Sequence, residues 1–219
     1  QSLKTTLDLS KYESGEGTVN YNSATDPEWS RSLIFAIGVH NAGICGEGTI
    51  DGDNVRNPKG EEHMRGPHTV LLAGCKDMSF CDFTVNHSAN YAFLAYQIEN
   101  TRYERIKING GWDGIHVRGA KRLHISNCKI HSGDDALAGG YWEKAQITNC
   151  TLNSSCNGIR MIMPSTNVHV SHCRFEGPGV YPHITSGRTA TESAINIQPG
   201  GWGKAPGRLD DIYIKHCII

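Results

Sequence analysis

The sequence predicts an all-β chain wound as a parallel β-helix, a solenoid of single strands with a coil period of about 22 residues. Three observations predict it: a repeated hexamer, apolar alternation inside each copy, and the lack of any helical stretch. The hexamer occurs as Ile125-Ser-Asn-Cys128-Lys-Ile130, Ile147-Thr-Asn-Cys150-Thr-Leu152, Val170-Ser-His-Cys173-Arg-Phe175 and Ile214-Lys-His-Cys217-Ile-Ile219. Its cysteines are 22, 23 and 44 residues apart, and the last gap reads as two periods. Weaker copies lie upstream, from Met78 to Phe83 and from Tyr103 to Ile108.

Each copy alternates apolar and polar residues, the mark of a half-buried strand. A second apolar run follows: Gly114 to Val117, Ala136 to Ala138, Gly158 to Met161 and Ala194 to Ile197. One such coil cannot bury its apolar side alone, so coils must stack, and equivalent residues then form columns. The recurring cysteine predicts an internal ladder of small apolar side chains rather than disulfides or a metal site. A leucine-rich repeat has a similar period, but its L-x-x-L-x-L-x-x-N signature is missing. No stretch reads as a linker, so residues 1–219 form one domain.

Composition narrows the function. The chain has 219 residues and a net charge of −1, with no basic stripe suited to nucleic acid or an anionic membrane. Its longest apolar runs are far too short to span a bilayer. The sequons at Asn86, Asn149 and Asn153 are of a kind common by chance.

The chemistry lies in two segments one period apart, Gly110-Gly-Trp112-Asp113-Gly114 and Ser132-Gly133-Asp134-Asp135-Ala136. Stacking predicts Asp113 beside Asp135 on adjacent coils, with Asp134 next to them, in one patch on the outside of the tube. Like charges held together repel and raise at least one pKa, so a solenoid built only for stability would avoid such a patch. Paired carboxylates with split pKa values suit glycoside hydrolysis, in which one donates a proton and another activates water. Calcium is the rival reading, since clustered carboxylates suit a hard cation.

On these residues the chain resembles the polygalacturonases, glycoside hydrolase family 28, which carry Asn-Thr-Asp, Asp-Asp, Gly-His-Gly and Arg-Ile-Lys motifs on successive coils. Trp112-Asp113-Gly114 is similar to the first motif and Gly133-Asp134-Asp135 to the second. Gly46-Glu-Gly-Thr-Ile-Asp-Gly52 is similar to a scaffold coil. The resemblance implies a right-handed winding, with Asp134 as general acid. It implies that Asp113 and Asp135 activate water in an inverting mechanism, with no metal and no cofactor. It also implies a polysaccharide or oligosaccharide partner, a secreted or periplasmic location, and coils missing at both ends of this chain.

The later motifs are altered. Asn157 stands where the family has His, and Asn196 and Gln198 stand where it has Arg and Lys. Neutral amides hydrogen-bond hydroxyls but form no charge-assisted pair with a uronate. The sequence therefore predicts retained hydrolysis on a different sugar. Arg160, favoured outward, could read a carboxylate from another angle, and His183 and Arg188 in the long stretch between Pro178 and Ser193 are further cations. Trp112 is a candidate sugar-stacking platform beside Asp113, ahead of Tyr141, Trp142, Tyr181 and Trp202. His116 and His131 read as surface or turn residues. A β-helix polysaccharide lyase and a non-catalytic carbohydrate-binding solenoid are the alternatives.

Overall fold

The structure is a computed structural model that describes Tyr12, residues 28–200 and residues 206–219. Trp202 lies outside the described residues. Among the described residues no helix is long and apolar enough to cross a membrane.

The chain winds as a parallel β-helix. The first coil holds β1 (Ser32–Ile37), β2 (His40–Cys45) and β3 (Thr49–Asp51), and the second β4 (His68–Ala73), β5 (Lys76–Cys81) and β6 (Thr84–Asn86). In the next three coils a 12-residue strand bends across a corner and a short one follows: β7 (Phe93–Glu104) with β8 (Lys107–Asn109), β9 (Ile115–Ser126) with β10 (Lys129–Ser132), and β11 (Leu137–Thr148) with β12 (Thr151–Ser154). Then come β13 (Asn157–Met161), β14 (Ser165–Ser171) and β15 (Arg174–Glu176), and finally β16 (Ser193–Ile197) and β17 (Leu209–Lys215). The ladders are parallel, in an 11-stranded sheet that folds over one corner and a 6-stranded sheet that closes the tube.

The register carries the predicted columns. Phe93, Ile115, Leu137, Ile159 and Ile195 stand opposite one another, as do Tyr103, Ile125, Ile147, Val170 and Ile214. On the short sheet Ile108, Ile130, Leu152 and Phe175 do the same. Apart from Ile214, which is exposed on the last strand, these side chains belong to one continuous apolar interior.

The hexamer now has a physical account. Asn127, Asn149, His172 and His216 each take a left-handed φ between 53° and 55°, turning the chain from one sheet to the next. Asn and His are enriched in that conformation among non-glycine residues. The cysteine after each turn points inward, and its thiol donates to the carbonyl two residues back, at 3.3 Å for Cys128 and Cys150 and 3.4 Å for Cys173 and Cys217.

Two expectations need correction. Val170 is directly opposite Ile214, so the 44-residue interval is one enlarged coil, not two. Its extra length lies mainly in residues 177–192. Cys81, read as a weak copy of the ladder, instead forms a disulfide with Cys45, its register partner 36 residues earlier. Strand stacking brings their Cα atoms to 4.5 Å, inside the bridging range. Cys128, Cys150 and Cys173 are buried free thiols, as the ladder requires.

Candidate active site

The corner entering the first sheet builds the site. Asp113 precedes β9, Asp135 precedes β11 and Asn157 opens β13. Because Ile115, Leu137 and Ile159 are in register, these three residues form a column as well. Backbone bonds reinforce it: Asp135 N–H donates to Asp113 Oδ1 at 3.1 Å, and Asn157 N–H donates to Asp135 Oδ1 at 3.1 Å. The next residue inward must be small. A Cβ on Gly114 would stand 2.5 Å from the Ala136 carbonyl oxygen and 2.5 Å from a methyl of Ile130. Gly133 is tighter still in its consequences, since a Cβ there would meet the Gly111 and Pro182 carbonyls at 2.5 and 2.8 Å and displace Asp134.

The three aspartates do converge, and none belongs to the apolar interior. They are not the open patch that stacking suggested. Asp113 and Asp135 are only 3% and 4% exposed, and the Asp134 side chain 18%. Two loops roof them. One follows β3 and contains a 3₁₀ turn at Glu61–His63 and Arg65; the other is residues 177–192. The Thr185 hydroxyl donates to Glu62 Oε2 at 2.8 Å and joins them.

Arg65 and His183 meet at Asp134. Arg65 Nη2 stands 3.9 Å and His183 Nε2 3.7 Å from Asp134 Oδ2. Arg65 is itself buried, held by Glu61 and Glu62, with its guanidinium 3.9 Å above the Trp112 ring. On the other side, Arg160 Nη1 is 3.7 Å from Asp135 Oδ2, and Asn157 Nδ2 donates to Asp135 Oδ1 at 2.7 Å.

These neighbours split the carboxyls. Burial pushes Asp113 well above the usual carboxylate range, and the charges of Asp134 and Asp135 add to the rise. Burial, helped by the Asp134 charge, pushes Asp135 up to about 6 against the pull of Asn157 and Arg160. Burial acts on Asp134 in the same sense, but the contacts with His183 and Arg65 outweigh it and hold Asp134 below its ordinary value. The resemblance makes Asp134 the protonated acid, yet Asp134 has the lowest proton affinity of the three, and burial favours a proton on Asp113 or Asp135 over it. One oxygen of each, with Cys156 Sγ, falls within 4.8 Å. That close approach is tighter than the roughly 6.5–9.5 Å carboxyl spacing associated with inversion. A thiol and the two nearby guanidiniums of Arg65 and Arg160 disfavour a hard cation such as calcium, which takes 6–8 oxygen ligands.

The other predicted residues divide. Arg160 does face outward, and His183 reaches the site. Gln198 is exposed just beyond β16, and Asn196 is half-buried with Nδ2 3.4 Å from Asn157 Oδ1. Asn157 itself is buried. Its donors go to Asp135 and its oxygen accepts from the Ser193 hydroxyl at 2.7 Å, so it positions Asp135 rather than meeting a sugar. Trp112 is 2% exposed and its ring is covered by Arg65, so it is no open stacking platform. Trp142 is buried in the core, with its indole donating to the Val117 carbonyl at 3.0 Å. Arg188 pairs with Glu192 and the Ser155 carbonyl. His131 lies on β10, and His116 is fully buried against Asp113, not on the surface.

Sequence reasoning missed Arg65, Tyr91, His116, Arg118 and Cys156. Tyr91 stands one period before Asp113 and Cys156 one period after Asp134, so the repeat carried a signal for both. Arg65 sits in an irregular loop with no periodic signal.

Comparison with known proteins places the winding in context. The family model described as "Right handed beta helix region" matches residues 35–197. A polygalacturonase from Juniperus ashei is 28% identical over 97 residues, which are 42% of this chain and 18% of that protein. No solved structure matches.

Proposed function

The chain belongs to the right-handed β-helix family, and from that premise we propose that it is a glycoside hydrolase cleaving a plant or microbial polysaccharide or its oligosaccharides. The observation that carries the reading is the meeting of Asp113, Asp134 and Asp135 across one 22-residue coil, with their proton affinities driven apart by different neighbours. A binding solenoid has no need of three mutually repelling acids. Similarity to a polygalacturonase over part of the chain supports the reaction class.

The Asp134–Asp135 couple is read as the acid, sharing one proton, because two carboxylates this close resist double ionisation. Asp113 serves on the water side in its ionised form, which the Asp135 N–H supports and which burial and the neighbouring carboxylates oppose. Arg160, beside Asp135, and Asn196, beside Asn157, are read with the exposed Gln198 as substrate-binding residues. A lyase would need a base and a cation to acidify the proton beside a uronate, and here the cations are committed to the catalytic carboxylates.

The test is product analysis on a panel of uronic and neutral polysaccharides. Hydrolysis gives new reducing ends and no ultraviolet-absorbing unsaturated sugar; the unsaturated product would assign the chain to the lyases. The first-formed anomer, read by NMR, tells whether the displacement inverts, as the resemblance implies, or retains, as the close approach of Asp134 and Asp135 favours.

A further inference from the structure

Beneath the aspartates lies a second buried cluster that the hydrolytic reading does not use. His116 Nδ1 stands 2.6 Å from Asp113 Oδ2, and Arg118 Nε donates to His116 Nε2 at 3.1 Å. The His116 ring lies parallel to Tyr91 at 4.8 Å, 3° from coplanar. His116 and Arg118 are 1% and 2% exposed.

The chemistry of the partners fixes the protons. A guanidinium N–H can only donate. His116 Nε2 must therefore offer a lone pair, which leaves the hydrogen on Nδ1, aimed at Asp113 Oδ2. The imidazole is neutral. With Oδ2 accepting from His116 and Oδ1 accepting from the Asp135 N–H, both oxygens of Asp113 are fixed in direction. We propose that Arg118 and His116 form a positioning relay that locks the Nδ1–H tautomer and thereby orients Asp113 and, through it, the turn bearing Asp134 and Asp135.

The groups facing His116 agree with a neutral ring. Burial lowers its proton affinity well below the ordinary histidine range, and Arg118, His68, Arg160 and Arg65 all oppose a second proton. The Asp113 carboxyl and the Tyr91 ring also face it. The relay's role in catalysis rests on the proposed hydrolase function; its hydrogen-bond geometry does not.

The two are separable by experiment. Long-range ¹H–¹⁵N NMR of the full chain reads the tautomer directly. A pyrrole-like Nδ1 and pyridine-like Nε2 for His116, unchanged from pH 5 to 8, are expected. An Nε2–H tautomer, or an imidazolium in that range, overturns the relay outright. Arg118→Met should release Nε2, so that the tautomer shifts or a new histidine ionisation enters the range. In turnover, His116→Leu should lower kcat about ten- to a hundredfold with little change in KM, and His116→Asn, which keeps an N–H near Nδ1, should recover part of it. A wild-type kcat and pH profile in His116→Leu would remove the positioning role. The expected tautomer in a protein that turns over no glycan would leave the relay standing and sink the hydrolase.

Discussion

Two columns run along the same wall of this solenoid. Inside, Phe93, Ile115, Leu137, Ile159 and Ile195 stack as interchangeable apolar side chains. At the adjoining corner, two residues earlier in most coils, stand Tyr91, Asp113, Asp135 and Asn157. No two neighbours there do the same job. The inner column is a packing device that any aliphatic residue of suitable volume could serve. In the corner column Asp113 and Asp135 each accept a hydrogen bond from the coil that follows and Tyr91 stacks on His116, while burial raises the proton affinity of both carboxyls. Identical backbone stacking thus supports opposite energetics: burial that stabilises on one side, burial that strains on the other.

The sharpest way to break that contrast is at Asp134. Asp134→Asn should cut turnover by about a thousandfold or more, at the scale of a lost catalytic proton-transfer group, while substrate binding largely survives. Reducing-end release and a binding isotherm measure the two effects, and full activity in the variant would reduce the column to scaffold. The matching change inside, Leu137→Ala, should cost about 2–5 kcal/mol in denaturant unfolding and leave the specific activity of the folded fraction near wild type. A large activity loss without destabilisation there would erase the distinction between the columns.

Removing the covalent tie, with Cys45→Ala and Cys81→Ala together, should lower stability by about 2–4 kcal/mol, most visibly in protection of β2 and β5 from hydrogen exchange. Asp135→Asn should do the reverse. The folded protein raises the Asp135 pKa to about 6 from 3.8, so it binds that proton more tightly than the unfolded chain does. Its contribution is full below about pH 4 and disappears as pH rises through about 6. At pH 7 the Asn variant should therefore be the more stable by on the order of 2 kcal/mol, with the gap closing at pH 4. A variant less stable than wild type at pH 7 would show that Asp135 is not strained. Least affected should be Lys121→Ala. Its partner Glu143 is 3.5 Å away but both side chains are about half exposed, so unfolding should shift by under about 0.5 kcal/mol.

Much of this was legible in the sequence because a solenoid converts spacing into proximity. The 22-residue interval placed Asp113 against Asp135, and the repeated hexamer placed Ile125, Ile147 and Val170 in one column. What was not legible lies where spacing stops converting. Arg65 comes from a loop with no period, so nothing near it in sequence pointed to Asp134. The 44-residue interval was mistaken for two coils because an enlarged coil and a pair of ordinary ones give the same arithmetic. His116 was misjudged for another reason. It sits on the outward face of β9, and outward ordinarily means wet; the packing of Tyr91, Asp113 and Arg118 against it makes it dry. Trp112 failed in the same way, since a ring beside a catalytic acid is open to sugar only if no cation has already taken its face.

Coils in this molecule range from 22 to 44 residues, yet every strand keeps its partner in line. Length is thus decoupled from registration: surplus chain is extruded sideways as loop while the ladder carries on undisturbed. The segment 177–192, which brings His183 to Asp134, is by that logic a detachable tool on a fixed handle. Replacing it with a segment of another length should change what surrounds the aspartates without asking the scaffold to refold.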